Sequence, residues 1–127
     1  MAGYSIDIEK KTIDNPHFRE VLYTAPNLQL VVMTLQPGEE IGTETHDHGD
    51  QFFRVEAGEG EAILDGEVHK LFDGQIVIIP QGVEHNIVNT STDKVLSVYT
   101  IYTPPEHADG TVHKTKAEAD ADHEHHH

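Results

Sequence analysis

Short runs of apolar or alternating apolar and polar residues recur along the chain between residues with turn chemistry. The runs are FREVLYTA, LQLVVMTL, a segment over residues 41–46, QFFRVEAG, EAILDG, VHKLFDG, QIVIIP, HNIVN and VLSVYTIYT, nine in all. Their shortness and their Gly, Pro, Asn and Asp boundaries predict strands. Pro37-Gly38, Gly58-Glu59-Gly60, Asp65-Gly66, Asp73-Gly74, Gln81-Gly82 and Asn89-Thr90-Ser91 supply the turns, and Leu64-Asp65-Gly66-Glu67 predicts a tight hairpin. Helical patterning is confined to one turn near residues 15–18. Strands so closely spaced, with no helical segments between them, predict an all-β sandwich or barrel rather than a parallel sheet with crossover helices.

Three stretches stand apart from this rhythm. Gln75-Ile76-Val77-Ile78-Ile79-Pro80 is apolar at successive positions, which predicts a strand buried on both faces or covered at a subunit contact, ended by Pro80. In residues 1–24, Tyr4, Ile6 and Ile8 alternate with polar neighbours, as in an edge strand that pairs with another chain or caps the barrel. A homodimer is the corresponding expectation. From Ala117 the chain reads AEADADHEHHH, without a large apolar residue to bury, so a solvated, disordered tail is predicted. Its closing His125, His126 and His127 read either as the remnant of an affinity tag or as a weak metal scavenger, and residues 123–127 are left out of the site. The predicted organisation is a single domain: N-terminal edge strands and arm over residues 1–27, a barrel core over residues 28–104, and a C-terminal loop with an acidic, His-rich tail over residues 105–127.

Composition narrows the chemistry. A chain of 127 residues suits one domain with a self-sufficient core. The absence of Cys removes disulfides, thiolate zinc sites and thiol nucleophiles, so any metal must sit on nitrogen and oxygen ligands. Twenty-three acidic against eight basic residues give a formal charge of −15, which repels phosphate backbones and anionic lipid; neither nucleic acid nor a membrane is an expected partner. The first residues lack the apolar run of a signal peptide, and no stretch approaches the roughly 20 apolar residues of a membrane helix. A soluble, cytoplasmic protein is the expectation.

Two segments carry chemistry. One reads Gly74-QIVII-Pro80-Q-Gly82-VE-His85-NIV-Asn89, where Pro80 stops the apolar strand, Gly82 permits a sharp turn and His85 opens the next strand. The other reads Gly38-EEIGT-Glu44-T-His46-DHGD-Gln51-FFRVEA-Gly58. Both resemble the paired motifs of the cupin family, over roughly residues 28–102. The second motif of that family matches at every specified position. For the first, the conspicuous pair His46 and His48 is out of register at both ends, with Glu40 where a Gly belongs and Phe52 or Phe53 where a Glu belongs. Counting from Gly38 to Gly58 restores every gap, with Glu44 at the first His position, His46 at the second and Gln51 in place of the Glu.

The resemblance implies a single jelly-roll, or double-stranded β-helix, barrel of the cupin type, with one divalent metal ion near one mouth. It assigns the ligands to Glu44, His46, Gln51 and His85, with His48 an extra or substitute ligand if it does not point to solvent. Glu44 and His46, two apart, leave the same face of a strand. Two imidazoles and a carboxylate suit Zn, Fe, Mn, Ni or Cu without deciding among them. The bland alternative is a pocket without metal in which Gln51 lines the wall and hydrogen-bonds a bound small molecule. Functionally the resemblance implies a metal-binding protein with a small molecule in the barrel: a metal-dependent enzyme of dioxygenase or isomerase type, or a non-catalytic small-molecule or metal binding module. Phe52, Phe53, Ile63, Leu64, Val77, Ile79, Val98 and Ile101 read as core or wall. His17, His69, His107 and His113 fall outside both motifs; His107 and His113 read as members of a polar C-terminal loop, with an approach to the barrel mouth as the alternative. By parity Arg54 leaves the face opposite Gln51 and Phe53, toward an outward salt bridge.

Overall fold

The computed structural model describes residues 3–125, with side chains through residue 122. Its elements in chain order are α1 (Ile8–Asp14), β1 (Arg19–Thr24), β2 (Gln29–Leu35), β3 (Asp50–Ala57), β4 (Gly60–Leu64), β5 (Glu67–Leu71), β6 (Ile76–Ile79), β7 (His85–Val88), β8 (Leu96–Thr103), β9 (Val112–His113) and α2 (Lys116–His125). The strands form a six-stranded sheet in the order β6-β3-β8-β2-β1-β9 and a three-stranded sheet in the order β5-β4-β7, antiparallel throughout. Eight of the nine predicted runs are these strands. The remaining segment, residues 41–46, is held to the smaller sheet by single bridges, Glu40 to Val88 and Glu44 to His85.

Strand parity places the core. On β3, Gln51, Phe53 and Val55 face inward while Phe52 and Arg54 face out. Arg54 Nε lies 2.6 Å from Glu56 Oε1, the outward pair expected of it. Val31, Met33, Leu35, Phe53, Val55 and Val98 of the larger sheet share one core with Ala62, Leu71 and Ile87 of the smaller. Val77 and Ile79 are buried there too, whereas Phe52, Ile63, Leu64 and Ile101 are only partly covered. The two sheets are not hydrogen-bonded into a closed barrel. The fold is a mostly β, two-sheet structure, and its two helices are the departure from the all-β expectation.

The run over β6 is not buried on both faces. Val77 and Ile79 point into the core, but Ile76 and Ile78 are 49% and 54% exposed on the outer face of an edge strand.

Both chain ends depart from expectation for local reasons. The alternation of Tyr4, Ile6 and Ile8 is too short to impose a strand, and Asp7 caps a helix instead: its Oδ1 accepts the Lys10 backbone N–H at 3.1 Å, Glu9 sits in the first turn, and Lys10 pairs with Asp14. Thr12 is the buried face of that helix, which lies against β2, β3 and β8. At the other end, Thr115 Oγ1 accepts the Glu118 N–H at 3.1 Å and Glu118 Oε1 accepts the Lys114 N–H at 3.0 Å, a variant of the capping box that starts α2. Lys116 and Asp120 brace its first turns, and Ala119 packs into the core. The segment from Lys116 to His125 is thus helical where a disordered tail was predicted. The side chains of residues 123–127, and with them the terminal His cluster, lie outside the described part.

Two motif residues serve the fold. Gly58 has φ +96°, and a Cβ there would sit 2.3 Å from the Val95 carbonyl oxygen, so only glycine fits. Asn89, 1% exposed, has Nδ2 within 3.1 Å of the carbonyls of Leu35, Gln36 and Lys94, while its Oδ1 accepts the Ser91 N–H at 2.9 Å. It ties the ends of β2, β7 and β8 together.

Candidate metal centre

Backbone pairing creates the site. Glu44 and His85 exchange two backbone hydrogen bonds of 2.8 Å each, so they are directly opposed and their side chains share one face. His46, two residues beyond Glu44, joins that face. One ligand atom from each of Glu44, His46 and His85 lies within 4.8 Å of the others, the spacing of donors around a single ion.

The rings are oriented for donation. His85 Nδ1 lies 2.9 Å from the Val83 carbonyl, to which it donates its proton; this leaves Nε2 as a bare lone pair. His46 Nδ1 lies 3.5 Å from Glu106 Oε1, and its Nε2 lies 3.1 Å from Glu44 Oε2. That second approach is close but lacks hydrogen-bond alignment, and His46 Nε2 is a buried atom without a hydrogen-bond partner. An inward nitrogen with no hydrogen bond, facing a carboxylate oxygen and a second imidazole, fits a cation between them. The two imidazole rings have centroids 5.0 Å apart, and Tyr102 stands edge-on to His46 at 5.8 Å.

Electrostatics follow from the same contacts. Glu106 and then Glu44 stabilise the imidazolium of His46 and hold its pKa at about 9 against the opposing effect of burial. Burial alone would raise the Glu44 carboxyl, but His46, Arg19 and His85 outweigh it and keep the group below its ordinary value. Glu106 is lowered, chiefly by His46. His107 goes the other way, to about 4, because burial and the nearby Arg19 disfavour its charged form. Burial pushes the Tyr102 phenol upward.

Of the predicted residues, Glu44, His46 and His85 converge. Gln51 is buried on β3 of the larger sheet: its Nε2 donates to Thr100 Oγ1 at 3.0 Å, and its Oε1 is a buried acceptor without a hydrogen-bond partner. His48 is exposed beside Gly49, outside the cluster. Beside the cluster opens a cavity of about 770 Å³, bounded by Phe18, Arg19 at the start of β1, the 41–46 segment, the 106–108 loop, His113 and α2. His107 and His113 therefore line the cavity, the alternative to a polar loop in solvent. Arg19 and Glu106 belong to neither motif. Arg19 carries a signal in the sequence nonetheless: it shares strand parity with the buried Val21, which places a cation on an inward face. Glu106 has none, because only folding brings the loop after β8 to His46.

Among described residues no helix is long and apolar enough to cross a membrane. The sequence pattern of the cupin domain matches residues 31–102. A crystal structure of the BH2720 protein of Bacillus halodurans is 42% identical, covers 93% of both chains and superposes with a TM-score of 0.91. An uncharacterised protein of Acanthamoeba polyphaga mimivirus is 38% identical over 86% of this chain and 70% of its own length. The uncharacterised YrkC protein of Bacillus subtilis is also 38% identical, over 91% of this chain and 65% of its own length, so the chain spans about two thirds of these relatives. The motif glycines, the two-sheet fold and the convergent Glu44, His46 and His85 thus meet in one assignment, in which the jelly-roll rests on the relatives: the chain belongs to the cupin family.

Proposed function

We propose that this chain is a metal-binding cupin protein that holds one divalent ion on Glu44, His46 and His85 and receives a small molecule in the adjoining cavity. The observation that carries the reading is the buried Nε2 of His46, without an aligned hydrogen bond, within one ion's reach of a carboxylate and a second imidazole. The bound ion would supply Lewis acidity beside the cavity. Glu106 would orient His46 through Nδ1, the Val83 carbonyl would orient His85, and Tyr102 and the 106–108 loop would limit water access. Three protein donors are fewer than most divalent ions take, which favours a metal-dependent enzyme over a binding module with a closed shell. Gln51 Oε1, a buried acceptor without a hydrogen-bond partner, is the fourth donor that the motif spacing assigns, and an ion that takes it still has positions left for a ligand. A homodimer covering the exposed Ile76 and Ile78 of edge strand β6 belongs to the same proposal, and light scattering that finds only monomer at micromolar concentration would remove it.

The test is elemental analysis of purified protein in which the histidines at 123, 125, 126 and 127 are replaced by serine. One equivalent of metal is expected, lost in Glu44→Ala, His46→Ala and His85→Ala and retained in His48→Ala. Stoichiometric metal in all three ligand variants would sink the proposal.

A further inference from the structure

Among the described residues, a buried cation with no directly paired carboxylate faces the cavity. Arg19 is 7% exposed, and its Nε is a buried atom without a hydrogen-bond partner. Its Nη1 lies 3.2 Å from His113 Nδ1, and the guanidinium carbon lies 5.3 Å from the centroid of the Phe18 ring. Among the described residues no carboxylate pairs with it directly, although Lys10, Lys11, Arg54, Lys70 and Lys116 each pair with one. His113 Nε2 donates to Asp122 Oδ2 at 2.8 Å, which leaves Nδ1 as the acceptor for Arg19. The neutral ring thereby anchors one corner of the guanidinium without neutralising it.

A buried, unpaired guanidinium costs several kcal/mol unless an anion joins it. The residues around it do not supply that anion. Glu44 faces His46 and Arg19 is near enough only to depress its pKa, while Glu106 is engaged with His46. Of the other carboxylates on the cavity wall, Asp120 pairs with Lys116, and Asp122 is joined to Arg19 through the His113 ring. We propose that Arg19 is the anion-binding group of the cavity beside the Glu44, His46 and His85 cluster, and that the molecule received there is a small monocarboxylate. With Glu44, Glu106, Asp120 and Asp122 on the same wall, a small monoanion meets less repulsion than a phosphate dianion. The planar fork of a guanidinium also matches the two oxygens of a carboxylate. This inference rests on the proposed cavity ligand but not on the metal, since no carboxylate among the described residues pairs directly with Arg19.

Glycolate serves as the probe, its neutral amide as the uncharged control and inorganic phosphate as the competing anion. Titrations are followed by nuclear magnetic resonance at the Arg19 Nε–H signal of the wild type and at the backbone amide signals of every variant, on full-length metal-free and zinc-loaded protein, with zinc content measured in parallel. Glycolate is expected to shift that signal in both forms, and glycolamide to leave it in place. Arg19→Gln should weaken glycolate binding about ten- to a hundredfold with zinc content unchanged, and Arg19→Lys, which keeps the charge without the fork, should fall between. Equal binding by wild type and Arg19→Gln, an equal shift with glycolamide, or tighter binding of phosphate would overturn the proposal. Absence of zinc would defeat the metal reading while the metal-free titration still decides the role of Arg19. If Arg19→Gln does not fold, the wild-type signal with glycolate against glycolamide decides the question.

Discussion

Proton release on metal binding is the sharpest consequence of the site's geometry. His46 has its two ring nitrogens between Glu106 and Glu44, and its pKa of about 9 means that the metal-free protein carries an imidazolium there at pH 7. Metal and proton compete for the lone pair on Nε2, so each ion bound at pH 7 must displace about one proton. From pH 6.5 to 8, well below the pKa, zinc affinity should rise about tenfold per pH unit, or ~1.4 kcal/mol each. Calorimetric titration of zinc at pH 7 in two weakly coordinating buffers of different ionisation enthalpy measures the number directly. Glu106→Gln removes the largest cause of the raised pKa, so the released fraction should drop below one at pH 7 while zinc still binds. Affinity that stays flat across this pH range, or the same release from Glu106→Gln, would refute the argument.

Other outcomes follow from the same residues. In the metal-free protein, His46 has a folded pKa above the ordinary value of 6.5, so its stabilisation is complete below 6.5 and lost as pH rises through about 9. His107, depressed to about 4, acts oppositely: stability falls as pH drops from 6.5 toward 4, because the unfolded chain takes the proton first. Thermal melts should therefore peak near pH 6 to 7, and zinc should flatten the alkaline side. Asn89→Ala strands three carbonyls and the Ser91 N–H and should cost about 2 to 5 kcal/mol in urea unfolding, with a shift in midpoint at constant slope. Gly58→Ala forces a Cβ against the Val95 carbonyl at positive φ and should cost about 2 kcal/mol or more by the same assay; a loss under half of that would mean the turn relaxes easily.

Much of the fold was legible in local patterning. Eight strands followed from run length, parity and turn residues, because those signals depend on near neighbours. Spacing between Gly38 and Gly58 selected Glu44 and His46 over the pair of histidines, and the observed convergence with His85 keeps that register, while His48 is exposed. The two helices were not legible in the same way. Asp7 and the Thr115 to Glu118 spacing are start signals, but the first competes with a three-position alternation and the second with an acidic composition poor in apolar residues. The outward exposure of Ile76 and Ile78 was not readable either, because an apolar run does not say which of its faces has a neighbour.

Sequence alone determined the strand inventory, the turns and the short-range spacing of Glu44 and His46, all set by interactions within a few residues. Tertiary structure decided the rest. The bridge from Glu44 to His85 spans forty-one positions, Glu106 reaches His46 from a loop sixty positions on, and Arg19 meets His113 across ninety-four. Such contacts exist only when sheet pairing brings distant segments together. Whether a buried charge is then compensated or left open to a ligand depends on every neighbour at once, which no local pattern encodes.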